Sequence, residues 1–125
     1  RNKPVLGHIT TFGGHPVSCA AGLASLSFIL ENDLIQSVRE KEKVFKDNLN
    51  HPKINGIRGK GLFLAVELGC FDKIQKFIKT ALNLGLISDW FLFNDHSIRL
   101  CPPLIIDEDR LMSAVVSLIE ILDEV

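Results

Sequence analysis

The chain has 125 residues, of which 46% are hydrophobic and 23% charged, and its formal net charge at pH 7 is −1. This length allows one ordinary domain with a buried core, and the nearly neutral charge gives no electrostatic reason to expect a nucleic acid or an acidic membrane as a partner. No apolar run approaches the roughly 20 residues of a membrane span. The N-terminus has no signal-peptide pattern, so we expect a cytoplasmic protein.

The cysteines and histidines show no pattern typical of a metal site. The 3 cysteines are far apart and never form a CxxC pair, and the 4 histidines lack HxxxH spacing. These spacings predict neither a disulfide framework nor a zinc site. We therefore expect no metal, and thiols that are reduced and mostly buried at Cys19, Cys70 and Cys101.

The first predicted helix runs from Pro16 to about Leu30, where apolar or small residues recur at helical spacing. Pro16 suits the first turn because its missing N–H has no intrahelical partner there. The N-terminal half of this helix, SCAAGLAS, has small side chains that let another backbone approach closely. We interpret the helix as the remnant of a larger domain whose neighbouring part is missing.

A second helix is predicted after the polar sequence END at 31–33, the one composition shift in the chain. Asp33, with Gln36 three residues later, resembles a capping box. We interpret the charged run REKEK at 39–43 as the solvated face of this helix. The residues predicted to face inward are Leu34, Val38, Phe45 and Leu49.

The pattern then changes to a short apolar run. Residues 62–66, LFLAV, follow glycines and predict a buried strand. A third helix is predicted from Phe71 to Leu82, and Gly85 lies where a left-handed cap residue is expected.

The last third of the chain predicts two strands and a helix. The strands are LIS at 86–88 and SIRL at 97–100, separated by the aromatic loop DWFLFNDH and ended by two prolines. Asp107 is the expected cap of the terminal helix. Its predicted inward residues are Leu111, Val115, Leu118, Ile119 and Leu122. The predicted order is ααβαββα.

The turn before the first helix is a candidate anion site. Thr10 and Thr11 precede Gly13 and Gly14, where unpaired backbone N–H groups and the positive end of the helix dipole favour an oxyanion such as phosphate. The alternative is that a threonine merely caps the helix. The residue types leave both interpretations open.

The sequence RGKG at 58–61 is a weaker candidate, because a phosphate-binding loop requires GxxxxGK[ST] before a helix and these glycines lead into a strand. We expect the glycines to allow a sharp turn while Arg58 and Lys60 stay solvated.

Arg99 is the third candidate, because it lies between Ile98 and Leu100 in a strand and alternation puts it on the opposite face from both. It is either an exposed or ion-paired arginine, or a group that recognises a carboxylate. The aromatic run WFLF at 90–93 either lines a pocket or packs on the core. Asp89 and Asp95 bracket this loop, and no nucleophile–base pair is evident.

Three blocks together, HITTFGGHPVSCAAGLA, IRGKGLFLAVEL and SIRLCPPLIIDEDRL, resemble consecutive blocks of the class III pyridoxal-phosphate aminotransferases. They look most like the branch that contains the acetylornithine, ornithine and 4-aminobutyrate aminotransferases. The resemblance covers essentially the whole chain. It implies an α/β fold in which residues 34–125 form the C-terminal small domain, a short, mostly antiparallel sheet covered by helices. Residues 1–33 then belong to the large cofactor-binding domain.

The resemblance also implies roles for two residues. Thr11 matches the threonine that binds the phosphate of pyridoxal 5'-phosphate in the neighbouring subunit of a homodimer. Arg99 matches the arginine that binds the α-carboxylate of the substrate. His15 stands where many members of the family have asparagine.

The implied reaction transfers an amino group between an amino acid or ω-amine and a 2-oxo acid. In the family, the lysine that binds the cofactor covalently lies about thirty residues before the threonine block, and this sequence begins after that point. We therefore expect the 125 residues alone to be inactive, with no catalytic residue of their own. The alternative is a free-standing small α/β module that binds or regulates without catalysis. A fragment would leave the first helix exposed, whereas an independent module would bury it.

Overall fold

The computed structural model describes residues 10–125 of the chain. Residues 1–9, with which the predicted large-domain remnant begins, lie outside the described residues. The chain divides into two compact units, Arg1–Asp33 and Leu34–Val125. The division falls at the composition shift at 31–33.

The described part of the first unit is a turn at 11–14 followed by helix α1, Pro16–Glu31. The helix predicted from Pro16 is thus confirmed. None of its residues is buried, and large apolar side chains such as Leu23 and Leu30 are 68% and 61% exposed. The apolar residues lie all around the helix, a distribution typical of a helix inside a larger protein.

The second unit contains three helices and four strands. They are α2 Leu34–Asn48, β1 Gly56–Lys60, β2 Phe63–Glu67, α3 Phe71–Asn83, β3 Asp89–Phe91, β4 Asn94–Leu100 and α4 Glu108–Glu124. The strands form one antiparallel sheet in the order β1-β2-β4-β3. The predicted fold class, an antiparallel sheet with helices, is confirmed.

The core lies between one face of the sheet and the helices. Alternate residues of the two central strands point into it, because successive side chains of a strand lie on opposite faces. Helix α4 packs against α2 and α3, and α3 packs against β4. The fully buried members of this core include Leu64, Val66, Ile74, Phe77, Ile98, Leu111, Leu118 and Ile121. The opposite, outer face of the sheet carries charged side chains, among them Arg58, Glu67 and Arg99.

The segment before β2 agrees only in part with its prediction. Residues 58–60 lie in a strand, whereas Gly61, with a φ of +60°, begins the predicted sharp turn into β2. Residues Gly56–Lys60 form β1, the edge strand that pairs with β2. A Cβ at Gly59, where φ is +133°, would collide with the carbonyl oxygen of Phe63 on the facing strand, so only glycine fits there. Arg58 and Lys60 are exposed, as predicted.

The strand predicted at 86–88 is wrong by a few residues, and the aromatic loop is a β-hairpin. Strand β3 begins at Asp89, the turn lies at Leu92 and Phe93, and β4 begins at Asn94. The sequence lacks the Asn-Gly or Asp-Gly signal of a tight hairpin, which is why the turn was not predicted.

The structure confirms the predicted helix ends at Gly85 and Asp107 and corrects the expectations for the thiols and for Asp33. Gly85 has the positive φ expected after α3, +79°, and Asp107 caps α4. The expectation of mostly buried thiols is wrong, because Cys19 and Cys101 are exposed. Asp33 has a φ of +48° instead of the extended backbone of a capping residue.

In α4, Ile121 is fully buried, whereas the predicted inward residue Ile119 is only partly buried.

Among residues 10–125, no single helix is long and apolar enough to span a membrane. Helices α1 and α2, taken together as one bent segment, reach that length and apolar composition.

Candidate functional site

Arg99 lies on the outer face of the sheet, where alternation along β4 predicts it. Its neighbours Ile98 and Leu100 are 1% and 6% exposed and belong to the core, whereas the Arg99 side chain is 41% exposed. The guanidinium is therefore held by a rigid central strand and reaches solvent. This position allows it to meet a ligand without burying an unpaired charge.

A row of residues crosses the sheet at the level of Arg99. In the strand register, Arg58 is opposite Ala65, Ala65 is opposite Arg99, and Arg99 is opposite Asp89. Residues directly opposite in antiparallel strands share a face. Two arginines therefore flank the small side chain of Ala65, and one carboxylate follows at the other edge.

Both arginines have a carboxylate nearby, and neither pair is tight. Arg99 Nη2 lies 3.7 Å from Asp89 Oδ2, and Arg58 Nε lies 3.5 Å from Glu67 Oε2. These separations exceed those of charge-assisted hydrogen bonds. Since a guanidinium has five N–H donors in a fixed fork, Arg99 keeps donors available for a planar anion.

A cleft of about 410 Å³ opens beside Arg99 on this face. The hairpin supplies one wall, and the sheet supplies the rest. The lining residues are Arg58, Ala65, Phe91, Leu92, Phe93, Asn94 and Arg99. A cation next to apolar side chains suits a small carboxylate with an apolar or extended body.

The two interpretations of the aromatic run are both partly correct. Trp90 points toward the core and meets Phe71 edge to face, with ring centroids 5.8 Å apart. Phe91 makes the same kind of contact with Phe63 at 5.7 Å. At the tip of the hairpin, Phe93 is 98% exposed. The run therefore anchors the hairpin at its base and presents apolar side chains to the cleft at its tip.

Thr11 belongs to the first unit, in the turn at 11–14 that leads into α1. The His15 N–H donates to the Phe12 carbonyl oxygen at 3.1 Å, and Gly14 has a φ of +77°. The positive φ of Gly14 favours glycine at that position of the turn. The exposed Thr11 hydroxyl thus stands on a compact turn at a helix N-terminus.

The N-terminus of α1 keeps its capacity for an anion. His15, at the cap position, makes no side-chain cap hydrogen bond, and the first turn contains no acidic residue. The first backbone N–H groups of a helix lack intrahelical partners and carry partial positive charge. The simpler interpretation, a threonine that caps the helix, is therefore not what this turn shows.

The sequence predicts Arg99 and Thr11 as site residues, and these assignments stay predictions; it does not predict the pairing of Asp89 with Arg99. Asp89 was noted only as a residue that brackets the aromatic loop. Its position opposite Arg99 depends on the hairpin register, and the loop that sets this register was not predicted as a turn. In the part of the chain that the structure describes, no group of three or more His, Cys, Asp or Glu residues could hold a metal ion.

Comparison with known proteins assigns the chain to a family. The family model described as aminotransferase class-III matches residues 2–122. This match covers nearly the whole chain, and the chain belongs to the class-III aminotransferases.

Characterised relatives point to the same class. The acetylornithine aminotransferase of Caldanaerobacter subterraneus subsp. tengcongensis is 34% identical over 123 residues, which cover 94% of this chain and 30% of the relative. Ornithine aminotransferase 2 of Staphylococcus aureus strain Mu50 is 37% identical over 107 residues, or 83% of this chain and 26% of the relative. The chain therefore spans less than a third of the length of these relatives.

Solved structures share the fold. The acetylornithine aminotransferase of Elizabethkingia anophelis has a TM-score of 0.83 and 26% identity, over 95% of this chain and 31% of that protein. An omega transaminase of Pseudomonas jessenii, solved in complex with PMP, has a TM-score of 0.84 and 28% identity, over 95% of this chain and 29% of that protein.

Proposed function

We propose that this chain is the C-terminal part of a pyridoxal-phosphate aminotransferase that transfers an amino group between an amino acid or ω-amine and a 2-oxo acid. Family membership supports the reaction class. One observation supports a substrate-binding role for the C-terminal part. The guanidinium of Arg99 lies on the outer face of the sheet beside an open cleft. All substrates of this reaction class except simple amines carry a carboxylate that such a group can bind.

Arg99 binds and orients the substrate carboxylate in this proposal. A carboxylate accepts two parallel N–H bonds from the guanidinium fork, which fixes its plane as well as its position. Each charge-assisted hydrogen bond contributes about 1.5–3 kcal/mol. Because the bonds are made at the end of the substrate, they orient its amino-bearing carbon and leave the chemistry there to other groups.

Thr11 holds the cofactor phosphate in this proposal, and the turn has the chemistry that a phosphate requires. It combines an exposed hydroxyl, a glycine with positive φ at position 14 and an uncapped helix N-terminus without acidic residues. When bound, pyridoxal phosphate supplies an electron sink for the bonds at the amino-bearing carbon. By the resemblance, the phosphate belongs to the neighbouring subunit of a homodimer, and we place that enzyme in the cytoplasm.

We further propose that residues 1–33 belong to the large cofactor-binding domain, that 34–125 form the small domain, and that the 125 residues alone do not transaminate. The exposure of every side of α1 supports this, because an independent module would bury an apolar helix in its own core. The short span relative to the curated relatives agrees with it. Neither Thr11 nor Arg99 supplies a nucleophile.

Substitution of Arg99 in the full-length enzyme tests the function. Arg99→Lys keeps the positive charge and removes the fork, so kcat/KM for an amino acid should fall by about tenfold to hundredfold, the loss of one or two such bonds. Arg39→Lys, on the exposed surface of α2, is the matched control and should leave kcat/KM unchanged. If Arg99→Lys behaves like the control, Arg99 does not bind the carboxylate.

A further inference from the structure

The carboxylate of Asp89 is held in place by its own strand. The Trp90 N–H donates to Asp89 Oδ1 at 2.8 Å, which fixes the rotamer of the side chain. The second oxygen, Oδ2, is the one that faces Arg99 Nη2 at 3.7 Å. Asp89 thus presents one free oxygen to the guanidinium from a fixed position.

The backbone of Arg99 is fixed from the same segment. The Ser88 hydroxyl donates to the Arg99 carbonyl oxygen at 2.9 Å, and the register places Asp89 directly opposite Arg99. Two consecutive residues therefore act on Arg99, one on its main chain and one on its charge. This arrangement restrains an otherwise long and mobile side chain.

Asp89 is not one of the residues that line the 410 Å³ cleft beside Arg99. The ion pair joins Arg99 Nη2 to Asp89 Oδ2 and is looser than a charge-assisted hydrogen bond. A substrate carboxylate can therefore meet the remaining donors of the fork while Asp89 stays where it is.

We propose that Asp89 is a positioning residue that holds the Arg99 guanidinium toward the cleft and thereby sets the affinity for carboxylate-bearing substrates. This inference rests on the proposed role of Arg99. Asp89 lies near one nitrogen of the guanidinium and outside the cleft lining, so the other donors of the fork remain available to a substrate carboxylate. Without its charge, Arg99 samples more rotamers, and the ordering of this side chain opposes substrate binding.

The test uses Asp89→Asn in the full-length enzyme, because asparagine keeps an acceptor for the Trp90 N–H and removes only the charge. The amino-donor half-reaction is followed separately for an amino acid and for an amine that lacks a carboxylate. The KM for the amino acid should rise about two- to fivefold, the range expected for an exposed ion pair. Its kcat, and both constants for the amine, should stay unchanged.

The matched control is Asp95→Asn. Asp95 lies in the same hairpin, its carboxylate faces His96 Nε2 at 3.2 Å, and it does not line the 410 Å³ cleft, so the loss of its charge should change neither substrate's constants. Asp89→Glu restores the charge and should recover part of the loss in affinity. Near-UV circular dichroism of each variant reports whether its fold is kept.

Three outcomes overturn the inference. An unchanged KM for the amino acid means that Asp89 does not act on the carboxylate site, and a lowered KM means that it competes with the substrate. An equal rise for the amino acid and the amine means that the substitution damages the structure generally. Arg99→Lys measured in parallel separates the two proposals. If Arg99→Lys raises the KM and Asp89→Asn does not, only the role of Asp89 fails.

Discussion

Glu42 shows how a residue in a charged surface run serves the fold. Its Oε2 accepts the Gly61 N–H at 2.7 Å, and Lys46 pairs with its other oxygen. The bond ties α2 to the turn between β1 and β2. The run 39–43 was interpreted as a solvated face, which is correct for Arg39 and Glu40 and incomplete for Glu42. A composition pattern shows which face is polar and does not show which carboxylate finds a backbone donor.

The same contacts predict a pH dependence of stability. The hydrogen bond from Lys46, and after it that from Gly61, lowers the pKa of Glu42 below its ordinary value of 4.5. A carboxyl whose pKa is lower in the folded state stabilises the fold above its unfolded pKa, and this contribution is lost as the pH falls through the folded pKa. Glu42→Gln should therefore lower the Tm at about pH 7 and have a smaller effect at about pH 3.

Thermal unfolding of the 125-residue chain at both pH values measures this difference. Glu40→Gln, an exposed glutamate of the same helix, is the control and should shift the Tm little at either pH. A Glu42→Gln effect that does not shrink in acid would show that the side-chain shape, and not its charge, holds the turn.

At the scale of the elements, the helices were predictable and two of the strands were not. The helices are predicted by the spacing of their apolar residues and by capping residues such as Asp107 and Gly85, because both features are local in the sequence. Strand β1 reads GIRGK and buries little, because it lies at the edge of the sheet. Strand β3 has only three residues, DWF, and depends on its pairing with β4. The outward position of Arg99 followed from local alternation, whereas its partner Asp89 required the register of a hairpin.

The cap of α4 predicts a measurable effect on stability. Asp107 Oδ1 accepts the Arg110 N–H at 2.8 Å, and α4 supplies fully buried residues such as Leu111 and Ile121 to the core. Asp107→Ala should lower the free energy of unfolding by about 0.5–2 kcal/mol, the usual cost of losing such a cap.

Asp107→Asn separates the hydrogen bond from the charge. Asparagine also accepts at the cap position, and the Asp107–Arg110 ion pair is exposed, so Asn should retain most of the stability. Urea denaturation of both variants gives the comparison. Equal losses for Ala and Asn would assign the effect to the charge of Asp107 and contradict the capping role.

At the scale of the whole molecule, the two units differ in how far they bury their apolar side chains. The unit Leu34–Val125 gathers its apolar side chains into one core, with members such as Phe77 and Leu64 fully buried. Helix α1 is as apolar as a core helix, and none of its residues is buried. Because burial of apolar area is the main favourable term in folding, this exposure supports the proposal that α1 belongs to the large domain.

This difference leads to a prediction for the chain in isolation. Pyridoxal phosphate titrated into the 125-residue protein should yield no stable, stoichiometric lysine adduct after borohydride reduction, as measured by mass spectrometry. The physical reason is that a lysine amine becomes an effective nucleophile only where burial or a neighbouring cation lowers its pKa. The lysines on the helices of the described chain, such as Lys43, Lys46 and Lys79, are exposed or partly exposed.

The full-length enzyme, treated identically, is the positive control and should yield one adduct per subunit. Reduction that traps the cofactor on a single lysine of the isolated chain would show that these residues hold a catalytic lysine site of their own, and the assignment of 34–125 as a small domain that only binds and orients would be wrong.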